Sequence, residues 1–306
     1  MKYQLISLSV ISILILSGCN LTSFLESENK SSTVQQVDEI LLEAPLHSYP
    51  PVPLAASAFT NGRSVVIDMN VLSAYDCPVS CTFKTISYDF VQEAYINNLG
   101  DGVFKAKNIS KQLELSQNLK SGIANGLITI EDHLNDIKIV GTIINDNYEG
   151  TLYSYKLSTN SLISSEEYKN GKLNGEKIIY DQYGNTKTKG NYVNGILNGK
   201  FYTYYSSGAV EGIATFKNGR LVGTYNDYYE NGRLKQQGYY TNGLESGATK
   251  IYMEDGALWA SVTYSKDKPI AGKCANGRKW TKAELLNWEN GLQVNCTYYI
   301  NRNEAR

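Results

Sequence analysis

From about residue 60 the chain alternates short apolar, β-type runs with polar turn formers. Ser64-Val65-Val66-Ile67, Thr82 to Ile86, Leu127 to Ile130 and Ile137 to Val140 each read as a strand bounded by Asn, Asp or Gly. Further on, the pattern becomes periodic. Aromatic rings recur every twelve residues at Tyr168, Tyr180, Tyr192, Tyr204, Phe216, Tyr228, Tyr240, Tyr252 and Tyr264. Asn-Gly recurs every 24 residues at 170, 194, 218 and 242. A second glycine follows each pair at Gly175, Gly199, Gly223 and Gly247. Turn dipeptides at Tyr183-Gly184, Ser207-Gly208, Asn231-Gly232 and Asp255-Gly256 keep the same period.

A 24-residue unit with two strands and two turns is a β-hairpin, and one hairpin cannot bury its apolar face alone. The units are therefore expected to stack into an elongated, mainly β, antiparallel ribbon. Clear units cover 168–263, and weaker copies extend the repeats over 121–272, with one residue inserted before Gly175. Asn231-Gly232 and Asp255-Gly256 are expected at the tight hairpin turns. The Gly195-to-Gly199 type of segment is expected to connect successive hairpins. The twelve-residue ring ladder is expected to pack between hairpins and hold their register. Tyr202, Tyr205, Tyr225, Tyr229 and Tyr239 stand outside that spacing. They are expected to face outward, as candidate partner-binding residues.

This pattern resembles the MORN repeat, in the bacterial variant found in proteins named as YwqK-type antitoxins. The match is best in Tyr228-Tyr229-Glu230-Asn231-Gly232-Arg233-Leu234-Lys235, continuing through Gly238-Tyr239-Tyr240-Thr241-Asn242-Gly243. The resemblance implies hairpins side by side in a twisted sheet with a groove. It carries little about activity, because repeats encode architecture.

The flanks add a location. Lys2 precedes a twelve-residue apolar run, Leu5 to Leu16, too short to span a bilayer. Leu16-Ser17-Gly18-Cys19 resembles the lipobox of bacterial lipoproteins. The resemblance implies a signal peptide over 1–18, acylation of Cys19, and membrane attachment by lipid. Asn20 favours the outer membrane by the same resemblance. Residues 19–57, with four of the six prolines, read as a tether, and 58–120 as a separate N-terminal β region.

Export makes the remaining cysteines, Cys77, Cys81, Cys274 and Cys296, two disulfides. Of three connectivities, the local pairs Cys77–Cys81 and Cys274–Cys296 are favoured. A four-thiol metal site lacks the paired CxxC spacing. Residues 273–306 read as a cap containing a short helix. Thr281 and Glu284 form its capping box, and Trp280, Leu285 and Trp288 its apolar face.

Composition narrows the chemistry. A formal net charge of −1 offers no field for nucleic acid. Tyrosine is abundant at 24 residues, whereas histidine, the commonest general acid/base, occurs twice. Gly195 to Lys200 is no phosphate loop, since its glycines are too close and a strand follows it. Glu131-Asp132-His133 is the one cluster with acid/base character, and it reads as a polar turn. No catalytic, cofactor or metal residues are assigned. The expected function is a non-enzymatic, lipid-anchored envelope scaffold that binds a protein. The alternative is a periplasmic immunity protein that neutralises an incoming toxin. An envelope hydrolase ranks third.

Overall fold

The computed structural model describes residues 80–296, apart from 87–89, 98, 100 and 146, and leaves the side chains of 80–90, 92 and 97 undescribed. Cys19, the tether, the expected strand Ser64 to Ile67, Cys77 and the Cys81 side chain lie outside the described residues.

Among the described residues, twenty strands and one helix make a single antiparallel open sheet. The first six strands are β1 (Ser80–Ile86), β2 (Phe90–Asn97), β3 (Gly102–Asn108), β4 (Leu113–Lys120), β5 (Ile123–Asp132) and β6 (Ile137–Ile144). Next come β7 (Asn147–Tyr148), β8 (Gly150–Lys156), β9 (Leu162–Lys169), β10 (Lys172–Tyr180), β11 (Thr186–Val193) and β12 (Ile196–Tyr204). The last eight are β13 (Val210–Lys217), β14 (Arg220–Leu221), β15 (Gly223–Tyr228), β16 (Leu234–Thr241), β17 (Leu244–Glu245), β18 (Gly247–Tyr252), β19 (Leu258–Ser265) and β20 (Lys268–Cys274). The helix α1 (Lys282–Glu289) follows.

The order is a meander in which each strand pairs with its chain neighbours. The sheet passes position 120 without a break, because β4 pairs with β5 as closely as any later pair. Residues 80–120 therefore belong to the same sheet as the repeats. The short segments β7, β14 and β17 are first halves of β8, β15 and β18. A single residue separates the halves, and its amide still bonds the neighbouring strand: Glu149 to Thr142, Val222 to Thr215, Ser246 to Tyr239. Such bulges bend a strand and sharpen its twist. Gly223 and Gly247 stand at two of these bends, and Gly175 and Gly199 at the corresponding register shifts of β10 and β12, all with positive φ, so they are mid-strand bulges and do not connect hairpins.

The turns exchange the roles expected of them. Asn170-Gly171, Asn194-Gly195, Asn218-Gly219 and Asn242-Gly243 are the tight two-residue turns, with both residues at positive φ, as a type I′ turn requires. Lys169 pairs with Lys172, Val193 with Ile196, Lys217 with Arg220 and Thr241 with Leu244 across them. At Asn231-Gly232 only the glycine is at positive φ. Gly232 N donates to Tyr229 O, and Tyr229 N to Arg233 O, which makes a wider turn with an added bulge. The inserted residue sits in one of these wide turns. Tyr155 pairs with Leu162, seven positions on, whereas Tyr180 pairs with Thr186, six on.

This geometry divides the ring ladder. Across a two-residue turn, paired residues such as Tyr192 and Leu197 are an odd number of positions apart and share a face. Twelve is even, so Tyr204 faces away from Tyr192. The bulge after the wide turn reverses the parity again. Tyr168, Tyr192, Phe216, Tyr240 and Tyr264 lie on one face, the core face, where all five are buried or pack on buried residues. Tyr180, Tyr204, Tyr228 and Tyr252 lie on the opposite, open face and are half-buried. The single twelve-residue ladder is thus corrected to two interleaved 24-residue ladders on opposite faces.

The core face holds three apolar clusters. The first runs from Ala94 to Leu152, the second from Leu197 to Tyr240, and the third joins Ala260, Val262 and Tyr264 to Cys274, Trp280 and Val294. A small residue at one repeat position makes room for a large one across the strand pair. A Cβ on Gly190 would lie 2.8 Å from the Phe201 ring, and one on Gly238 would lie 2.4 Å from the Tyr225 ring. At the equivalent place between the first two clusters the large and small residues are replaced by an ion pair, Glu166 and Lys177, at 3.2 Å.

The β20 end of the sheet is closed. Trp280 N donates to Gly272 O, and Cys274 N to Arg278 O, so residues 278–280 cover the outer edge of β20. Thr281 caps α1 with a full capping box to Glu284. Cys274 and Cys296 are joined as a disulfide.

Candidate functional site

The open face carries the ribbon's periodic surface. Tyr180, Tyr204, Tyr228 and Tyr252 pair across their strands with Thr186, Val210, Leu234 and Leu258. Ring and smaller, β-branched or aliphatic side chain therefore alternate along one stripe at the wide-turn edge. At about 4.8 Å per strand, the eight positions extend over roughly 35–40 Å. Tyr202 stacks on Tyr204 at 6.3 Å, and Tyr153 lies 6.3 Å from Tyr155 at the N-terminal end of the same row. Desolvation raises the Tyr204 hydroxyl above its usual range.

Of the five tyrosines expected to face outward, four have side chains within reach of solvent. Tyr239 is 49% exposed. Tyr202, Tyr205 and Tyr229 are half-buried. Tyr205 and Tyr229 are themselves repeat positions, 24 apart. The Tyr205 hydroxyl donates to Tyr228 O at 2.6 Å, and the Tyr229 hydroxyl to Tyr252 O at 2.7 Å. Each therefore ties one wide turn to the next.

Tyr225 is corrected outright. It is 1% exposed and stands where Phe201 stands one repeat earlier. Its ring packs 5.2 Å from Tyr240, and its hydroxyl donates to Glu245 Oε1 at 2.8 Å while accepting from Gln236 Nε2. Glu245, 4% exposed, also accepts from Thr249 Oγ1 at 2.6 Å. Desolvation raises its carboxyl above the usual range, against the pull of those two hydroxyls. Sequence reasoning missed Glu245. The available signal was its position, which holds leucine at 173, 197 and 221.

The acid/base cluster resolves into turn chemistry and lysine pairs. Asp132 accepts from Leu134 N, Asn135 N and Asn135 Nδ2, and so shapes the turn. Ligand atoms of Glu114, Glu131 and His133 fall within 4.8 Å of one another. Lys107 Nζ stands 2.6 Å from Glu114 Oε1, however, and Lys138 Nζ 3.2 Å from Glu131 Oε1. A depression of about 390 Å³ on the open face beside them is lined by both signs of charge, including Lys105, Lys107, Glu114 and Glu131.

Comparison with known proteins adds no family. No family model matches the chain, and no curated protein does. Two solved structures share local likeness: "Crystal Structure of TarM", and a point mutant of S. aureus TarM in complex with fondaparinux, alpha-GlcNAc-glycerol and UDP. Each is 10% identical, over 57% of this chain and 30% of the other, with a TM-score of 0.22. The chain thus spans under a third of those proteins, and a likeness at that score carries no argument about this one.

Proposed function

We propose that this protein is a non-enzymatic binding scaffold of the bacterial cell envelope, built of MORN-type units, anchored by lipid on Cys19, and engaging a protein partner. The observation that supports this reading is the open-face stripe of Tyr180, Tyr204, Tyr228 and Tyr252 with Thr186, Val210, Leu234 and Leu258. Tyrosine supplies large contact area and a polar handle at low conformational cost, which suits a protein interface. An extended row of such rings fits one extended partner surface better than a single small molecule.

The test is cross-linking in intact membranes with the natural chain and a Tyr204→Ser, Tyr228→Ser double variant. The natural chain is expected to capture a discrete protein, and the variant to lose it while still folding cooperatively, with a melting temperature lower by only a few degrees. A partner held equally by both, or none at all, counts against the reading. The captured partner also separates a resident envelope protein from an incoming toxin. In the same membranes, Cys19→Ser is expected to release the protein, since the apolar run at 5–16 is too short to hold it.

A further inference from the structure

All three tryptophans of the chain meet at the cap. Trp280 lies 6.2 Å from Trp259 and 5.3 Å from Trp288, and Trp259 lies 6.0 Å from Trp288. Trp280 is buried, and its indole N–H points at the two disulfide sulfurs, 3.3 Å from Cys274 Sγ and 3.4 Å from Cys296 Sγ. Trp288 is fixed by donating to the Tyr264 hydroxyl at 2.7 Å. Trp259 and Trp288 stay partly exposed and open onto a cavity of about 570 Å³. Its other lining residues are Gln293, Val294, Asn295 and Cys296. Arg278 Nη2 holds the Asn295 carbonyl at 2.6 Å, so the amide-bearing rim is tied to the cap.

Three features of this cavity define its occupant. Its volume falls in the ordinary range for a small-molecule site, roughly 300–1,000 Å³. Among the described residues its lining carries no ionised side chain, so none of them would pair with a phosphate, carboxylate or ammonium group. It joins two indole faces to two primary amides, each amide offering donors and an acceptor. A ligand matching that set is neutral, has an apolar C–H face and a rim of hydroxyl or acetamido groups. We infer that the cap cavity binds a neutral saccharide, with one pyranose ring against Trp259 and Trp288 and its polar rim toward Gln293 and Asn295. The site lies at the junction of β19 with the cap, and its test does not depend on what the open-face stripe binds.

The arrangement is preorganised. The disulfide, the Arg278 clamp and the Trp288 hydrogen bond fix the rim and Trp288 before any ligand arrives, and Trp259 packs against Trp280 and Trp288, so little ordering cost falls on binding. The same arrangement supplies the assay, because intrinsic tryptophan emission reports on this site alone. The full-length protein is titrated with methyl β-N-acetylglucosaminide, N,N′-diacetylchitobiose and maltotriose. At least one is expected to give a saturable emission change with a Kd of about 1 mM or tighter. Gln293→Ala and Asn295→Ala, both at exposed positions, are expected to weaken it about five- to ten-fold with unchanged melting temperature. No saturable change with any of the three sugars overturns the inference. So does equal affinity in both amide variants. A change seen only after Tyr298, Tyr299 and Ile300 are replaced by serine would assign the cavity to the chain's own end, and would overturn it too.

Discussion

Tyr225 and Tyr204 sit mid-ribbon, 21 residues apart, yet their surroundings assign them opposite costs. The Tyr225 ring is enclosed between Gly238 and Tyr240 and its hydroxyl serves a buried carboxylate. Tyr225→Ala is expected to destabilise by about 3–5 kcal/mol. Tyr225→Phe should cost about 1–2 kcal/mol, since it leaves Gln236 and Glu245 each short of a partner. Tyr204→Ala, on the open face, should cost about 1 kcal/mol or less. Urea unfolding of the three variants ranks them, and a Tyr204→Ala loss equal to that of Tyr225→Ala would contradict the assignment of faces. Glu245 adds a pH signature. Burial holds its folded pKa above the usual carboxylate value of about 4.5, so the folded state binds more protons than the unfolded one. Stability should therefore fall as pH rises from 4.5 through the raised value, by at most about 1.4 kcal/mol per pH unit. Urea midpoints measured from pH 4 to 8 should show that fall, and Glu245→Gln should abolish it. The ring positions were legible in the sequence because their spacing is strict. Their faces were not, since parity depends on how many residues each turn consumes, and Asn-Gly occurs in both kinds of turn.

At the scale of the element, the cap is the most independently specified piece. Thr281 and Glu284 announce the helix start, and both halves of the capping box form. Glu284 is also held by Arg278 at 2.9 Å. Its pKa is lowered, first by the Thr281 amide and then by the Arg278 and Thr281 side chains, against a desolvation that raises it. A depressed acid stabilises above its unfolded pKa and loses that contribution as pH falls through the folded one. The cap should therefore loosen below about pH 4.5, and tryptophan emission should report it before far-ultraviolet circular dichroism changes. Gly272→Ala tests the seating of the cap on β20. A Cβ there would lie 2.1 Å from the Trp280 ring, and the expected loss is about 2–3 kcal/mol. The helix and its local disulfide were legible because their determinants lie within a few turns of chain. The meeting of Trp259 with Trp280 and Trp288 was not, because Trp259 belongs to β19 and no local spacing links it to α1.

For the whole molecule, the shared period and turn residues of the units predict tolerance to losing one. Removing Asn194 to Lys217 joins Val193 to Asn218 and restores the same tight turn, Asn218-Gly219. The shortened protein should fold cooperatively with a melting temperature lower by only a few degrees, as nearest-neighbour stacking implies. Circular dichroism melts check this. Failure to fold would mean that the second core cluster acts as one indivisible unit. The sheet's full extent was less legible than its centre. Toward the N-terminus the small-residue position becomes Glu166, returns to glycine at Gly141, then becomes Gln117, and the wide turn before Leu162 gains a residue. The two substitutions and the insertion preserve backbone pairing while blurring the letters that mark the period.

The meander has a mechanical corollary. Among the described residues each strand is bonded only to the strands beside it in the chain, so tension applied at the two ends of the sheet cannot load many hydrogen bonds in parallel. It peels them one pair at a time, beginning at an outer strand. Held by one end and pulled at the other, the ribbon should lengthen in small, repeated, low-force steps of one strand or hairpin each. A single-molecule force trace that instead showed one abrupt high-force rupture would mean that the core face, and not the strand ladder, governs how the ribbon yields.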